Sequence, residues 1–106
     1  MKIGFIGCGN MGGAILQGIL QGGTLAAVIY VADHNLETLR QRLGHTGVQI
    51  CRSNTEVAAL CDAVFLAVKP NVLSAVLAEI SPVLAERKAL PLLISIAAGK
   101  STAYLE

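Results

Sequence analysis

Apolar positions along this chain fall into short unbroken runs that alternate with stretches of helical spacing. Residues 2–7 read as a strand. Met11, Ile15, Gly18, Ile19 and Gly22 then recur at intervals of three and four, the stripe of a helix that Gly22-Gly23 stops. Residues 26–31 read as a second strand. Asn35 stands where it can cap a helix with Leu36, Leu39 and Leu43 as its buried stripe and Gly44 near its end. A short strand is predicted at 48–51, and Ser53-Asn54-Thr55-Glu56 is a capping box that opens a short helix through Leu60. Residues 62–68 form a continuous apolar strand, and after Pro70 a helix carries Leu73, Val76, Leu77 and Ile80. Ser81-Pro82 resembles a new cap and first-turn proline, which predicts a break or restart in that helix. Residues 90–97 make a fifth strand.

Strands separated by helices require right-handed crossovers and a parallel sheet. The predicted class is therefore α/β. The architecture is a doubly wound, Rossmann-like parallel sheet with helices on both faces and strand order 3-2-1-4-5. Ligands bind such sheets at the carboxyl ends of the strands, beside the first strand where the order reverses.

Composition agrees with a buried sheet. Hydrophobic residues make up 54% of the 106 and charged residues 14%, rich for a free-standing domain of this size. A parallel sheet covered on both faces accounts for part of this, and a partner domain or subunit for the rest. A net charge of +1, four aromatics and no basic stripe give nucleic-acid binding no support. The most apolar stretch, 89–98, is too short to span a membrane, and the N-terminus is not a signal peptide. Cys8, Cys51 and Cys61 have no metal-ligand spacing and read as reduced thiols of a cytoplasmic protein. No metal site is expected.

The candidate chemistry lies at the strand ends. The first strand runs into Gly7-Cys8-Gly9-Asn10-Met11-Gly12, a Gly-x-Gly-x-x-Gly turn opening a helix. A dinucleotide pyrophosphate needs this geometry. Gly7 permits the tight turn, Gly9 lets phosphate approach the backbone, and Gly12 lets helix and strand pack closely. The helix N-terminus faces the anion.

Asp33, 21 residues after Gly12, stands near where an acid would accept hydrogen bonds from an adenosine ribose diol. Such a carboxylate favours NAD and repels a 2′-phosphate. His34 and Asn35, with Arg40 or Arg42, offer the opposite reading, assistance to a phosphate, and Asp33 and Asn35 also suit a plain helix start. The fourth strand ends in Ala67-Val68-Lys69-Pro70 and the fifth in Ser95-Ile96-Ala97-Ala98-Gly99. These small residues leave room for a flat ring and offer backbone groups to a carboxamide. Lys69 is either an anion contact or a solvated loop lysine, and His45 reads as a solvated loop residue. No catalytic acid–base pair or nucleophile set stands out, and hydride transfer needs none because the cofactor carries the chemistry.

Taken together, residues 3–12, Ser53-Asn54, Phe65-Leu66-Ala67-Val68-Lys69-Pro70 and Ser95-Ile96-Ala97-Ala98-Gly99 resemble pyrroline-5-carboxylate reductase over essentially the whole chain. The resemblance is to the N-terminal half of a family member. It implies an enzyme that passes hydride from NADPH or NADH to the C=N bond of pyrroline-5-carboxylate, giving proline. It also implies roles for residues. Gly7, Gly9, Asn10, Met11 and Gly12 would hold the pyrophosphate. Asp33, His34 and Asn35 would meet the adenosine ribose or its phosphate, and Asn54 would reach the adenine-side ribose. Ala67, Val68, Lys69 and Pro70, with Ala97, Ala98 and Gly99, would line the nicotinamide side. Many members have an Asn-Arg-Ser/Thr-like stretch where this chain has Asp33-His34-Asn35, a departure that tilts preference towards NADH.

Residues 1–100 are thus expected to form the cofactor domain. Residues 101–106 are expected to begin a helix leading to a C-terminal helical domain that supplies the substrate pocket and a homodimer or higher homo-oligomer. By this reading the 106 residues bind cofactor without turning over substrate alone. Two other readings stay open. One is another NAD(P) oxidoreductase with the same N-terminal domain, of the F420-dependent NADP reductase or β-hydroxyacid dehydrogenase type, against which the segments at 67–70 and 95–99 argue. The other is a non-catalytic dinucleotide-binding module.

Overall fold

The computed structural model describes residues 1–7 and 10–95, and of residues 10–12 the backbone alone. Four strands of similar length, β1 (Ile3–Ile6), β2 (Ile29–Ala32), β4 (Ala63–Leu66) and β5 (Leu92–Ser95), and the short β3 (Gln49–Ile50) form one sheet. Its order is β3-β2-β1-β4-β5 and every pairing is parallel, as expected from the alternation of elements. The helices are α1 (Asn10–Gln21), α2 (Leu36–Leu43), α3 (Asn54–Leu60) and α4 (Pro70–Ala85).

Successive side chains of a strand point to opposite faces, and the core divides accordingly. Phe5, Ile29 and Val31 pack with Leu16 of α1 and Leu39 and Leu43 of α2. Phe5 and Phe65 stack on this face with ring centroids 4.9 Å apart. Ile6, Ala32, Val64 and Leu66 pack on the other face with Val57 and Ala58 of α3 and Leu73, Val76 and Ile80 of α4. The helix on β1's second face comes close because residue 4 is glycine. A Cβ there would overlap Val57 Cγ1 and lie 2.8 Å from Cys61 Sγ.

Local chemistry sets most boundaries. Asn35 Oδ1 accepts from the Thr38 amide at 3.1 Å and caps α2. Ser53 Oγ accepts from the Glu56 amide at 3.4 Å and caps α3. The returning half of the predicted box is shifted by one residue, since the Glu56 carboxylate accepts from the Arg52 amide at 3.2 Å. Gly23, at φ 99°, ends the turn after α1. The C-terminus of α3 is closed from a distance. Arg87 Nη1 donates to the carbonyls of Ala58 and Cys61, each at 2.6 Å, and places a cation where the helix dipole favours one.

Four expectations need correction. Residues 26–28 form a 3-10 turn rather than the start of β2, because pairing begins at Ile29 opposite Ile3, the first residue of β1. Strands are shorter than their apolar runs for the same reason: the ladders begin and end together. Gly18 is exposed, and α1 turns Leu16 inward. Helix α4 runs through Pro82 without restarting. Ser81 and Pro82 lie on its exposed side while Ile80, Val83 and Leu84 pack on the core, so burial on both sides of the proline holds the helix across the lost hydrogen bond.

Candidate functional site

Strand register lines up the place where a ligand would sit. Ile6 pairs with both Ala32 and Leu66, and Leu66 with Ser95, so the strands finish in one row. The residues that follow, Gly7, Asp33 and Ala67, therefore emerge side by side. Two backbone bonds extend the row: the Gly7 amide donates to Ala32 O at 2.7 Å, and the Ala67 amide donates to Ile6 O at 2.8 Å.

Gly7 is required there for two reasons. Its φ of 81° lies in the left-handed region. A Cβ would also lie 2.7 Å from Ala67 O and 2.8 Å from Val68 Cγ1. Beside it opens a cleft of about 440 Å³ bordered by Gly7, Asp33, His34, Ala67, Val68 and Lys69, with Asn71 and Val72 from the first turn of α4. Two further cavities share the Asp33–His34 wall. One, about 100 Å³, is bordered by Asn54, Val68, Val72 and Val76, and the other, about 230 Å³, by Arg52, Ser53, Asn54 and Glu79. The three form one groove along the carboxyl edge of β1, β2 and β4.

At the β2 end the Asp33 side chain is 18% exposed and that of His34 is 98% exposed. His34 Nδ1 lies 2.8 Å from Asp33 Oδ1. A carboxylate can only accept, so Nδ1 carries the proton in this contact and Nε2 is the outward nitrogen. The Asn35 amide also donates to Asp33 Oδ1, at 3.4 Å. The Asn35 side chain is committed to capping α2 and does not border the groove cavities described above.

Lys69 precedes α4, with Pro70 in that helix's first turn, and its exposed side chain borders the Gly7 end of the groove. Lys69 borders only the Gly7 end and Arg52 and Glu79 only the far end, while Asp33 and His34 run along the whole groove. Asn54 bridges towards the far end, its Nδ2 donating to Glu79 Oε1 at 2.8 Å.

Of the predicted site residues, Gly7, Asp33, His34, Asn54, Ala67, Val68 and Lys69 border this groove. Asn10, Met11 and Gly12 open α1, which begins three residues after Gly7 as the glycine motif requires. Gly9, Ala97, Ala98 and Gly99 lie outside the described residues. Arg52, Asn71, Val72, Val76 and Glu79 border the groove without having been singled out. A signal existed for three of them: Val72, Val76 and Glu79 stand at intervals of four and three on α4, one helical face.

Neither described cysteine belongs to the groove. Burial pushes the Cys61 thiol up to about 12, with the Cys51 thiol adding to the effect, and burial followed by the Glu56 charge raises Cys51. Both are unreactive thiols at neutral pH. Among the described residues no group of three or more His, Cys, Asp or Glu side chains could hold a metal ion, and no helix is long and apolar enough to cross a membrane.

Comparison with known proteins agrees with this architecture. Pyrroline-5-carboxylate reductase 3 of Bos taurus is 39% identical over 105 residues, covering 99% of this chain and 33% of its own length. A solved pyrroline-5-carboxylate reductase from Coxiella burnetii superposes with a TM-score of 0.85 at 35% identity, over 99% of this chain and 38% of that one. The Plasmodium falciparum pyrroline carboxylate reductase, solved with NADP bound, gives 0.74 at 32% identity, over 93% and 34%. The chain thus spans about a third of the length of these relatives, and its resemblance to pyrroline-5-carboxylate reductase runs from end to end. A family model described as NADP oxidoreductase, coenzyme F420-dependent, matches residues 2–99, and the chain belongs to that family.

Proposed function

We propose that the groove holds a reduced nicotinamide dinucleotide, and that the protein carrying this chain uses it to reduce the C=N bond of pyrroline-5-carboxylate to proline. One observation carries the reading: the register sets Gly7, Asp33 and Ala67 side by side around a groove in which a Cβ at Gly7 would fill the turn. Such a turn suits backbone approach to a pyrophosphate. Gly7 and Gly9, with Asn10, Met11 and Gly12 at the start of α1, bind it through amides, and Lys69 adds positive charge at that end. Asp33 accepts from the adenosine ribose hydroxyls, with Asn54 beyond it. Ala67 to Pro70 and Ala97 to Gly99 flank the nicotinamide.

The bound cofactor supplies the hydride. The chain's residues contribute binding and orientation, holding the ring at the carboxyl end of β4 and β5. A reduced nicotinamide held here would give its hydride to the imine carbon, the nitrogen taking a proton from solvent, to leave a secondary amine and the oxidised cofactor.

Residues 1–100 act as the cofactor domain in this reading. Substrate binding and homo-oligomerisation belong to a helical C-terminal domain, and the buried reduced thiols suit a cytoplasmic protein. The test is a hydride-transfer assay of the full-length protein with pyrroline-5-carboxylate, following consumption of NADPH or NADH and formation of proline. Consumption with proline formed supports the reading. Tight cofactor binding with no reduction of this imine, or reduction only of coenzyme F420, removes the substrate assignment.

A further inference from the structure

We infer that Glu79 is a positioning residue for the adenosine end of the groove, holding Asn54 with its carboxamide oxygen available to a ribose hydroxyl. The inference rests on the dinucleotide reading above. The contact is Asn54 Nδ2 to Glu79 Oε1, 2.8 Å. Chemistry assigns the two ends of the amide. A carboxylate is an acceptor only, so the atom facing Glu79 is the nitrogen, and the oxygen takes the other limb of the planar group.

Asn54 borders both the middle and the far cavity, whereas Glu79 borders the far one. The nitrogen is thus held towards Glu79 on the wall of the far cavity, which leaves the oxygen as the amide's acceptor for a ligand in the cavities that Asn54 and Asp33 both border. Two acceptors, the Asp33 carboxylate and Asn54 Oδ1, then face a ligand group that must donate. A ribose diol donates, while a phosphate does not. Without Glu79 the amide is free to flip and present its NH2, which a hydroxyl can use less well beside a carboxylate. Glu79 comes from α4 and Asn54 from the first turn of α3, so the contact also ties the two helices that flank this end.

Calorimetric titration tests this with whichever of NADH and NADPH the unsubstituted protein binds more tightly, and with nicotinamide mononucleotide. Glu79→Ala is expected to weaken the dinucleotide roughly 3- to 10-fold, the range for one net hydrogen bond, and to leave the mononucleotide unchanged. Glu79→Gln, whose amide oxygen still accepts from Asn54 Nδ2, is expected to restore most of the affinity. Glu79→Ala added to Asn54→Ala is expected to cost nothing more. An unchanged dinucleotide affinity in Glu79→Ala, an equal loss for the mononucleotide, or full additivity with Asn54→Ala overturns the inference and leaves the dinucleotide reading standing. Failure of the unsubstituted protein to bind either dinucleotide overturns that reading, and the inference with it.

Discussion

A Cβ on Gly7 would lie 2.7 Å from the carbonyl oxygen of Ala67, across the turn where β1 gives way to the groove. Space and backbone conformation both exclude a side chain, since φ is 81°. Gly7→Ala is expected to lower stability by at least about 1–2 kcal/mol, from the left-handed backbone alone. Gly18 is the control: it is helical, exposed and has nothing within 4 Å of a new Cβ. Gly18→Ala is expected to raise stability by up to about 1 kcal/mol. Urea unfolding of the two variants should therefore move in opposite directions.

Coenzyme choice should turn on the Asp33–His34 pair, 2.8 Å apart. With the carboxylate in place, NADH is expected to bind more tightly than NADPH. Asp33→Ala should weaken NADH roughly 10- to 150-fold, the loss expected for one hydrogen bond to a charged acceptor, and should weaken NADPH less or strengthen it. Parallel titrations at one salt concentration check this. A variant that improves NADPH and leaves NADH untouched would assign the loop to phosphate recognition through His34 and a nearby arginine.

Asn35 separates capping from ligand binding. Its Oδ1 accepts from the Thr38 amide, so Asn35→Ala should cost about 1 kcal/mol of stability. Asn35→Asp keeps an acceptor at the cap and should restore it. Cofactor affinity should follow neither substitution. A loss of affinity in Asn35→Asp without loss of stability would return Asn35 to the binding set.

The thiols predict an alkaline limb. Cys61 titrates near 12 in the folded protein against an ordinary value of 9.0, and Cys51 is raised as well. The folded state therefore holds a proton that the unfolded chain releases. This stability is fully present below pH 9 and is lost as pH rises towards 12, at up to about 1.4 kcal/mol per pH unit for one such group. Urea midpoints across this window should fall more steeply for the parent than for Cys61→Ala. Thiol reagents should label Cys51 and Cys61 only as fast as the protein opens.

What was legible in the sequence was short-range or periodic. The caps at Asn35 and Ser53 depend on residues three positions away, and the sheet order follows from alternating periods and crossover handedness. Asp33 could be found because a fixed distance from the glycine turn carries a physical role. Glu79 showed only its helical spacing from Val72 and Val76; its contact with Asn54, 25 residues away, exists only when α4 packs beside α3. The capping of α3 by Arg87 is hidden for the same reason. Pro82 misled because local propensity lost to burial on either side of it.

If this groove binds a nicotinamide dinucleotide, calorimetric titration of the 106-residue protein with NADH and NADPH should show saturable one-to-one binding of at least one of them, weakened by Asp33→Ala. Absence of heat with both, in a protein that unfolds cooperatively, would contradict it.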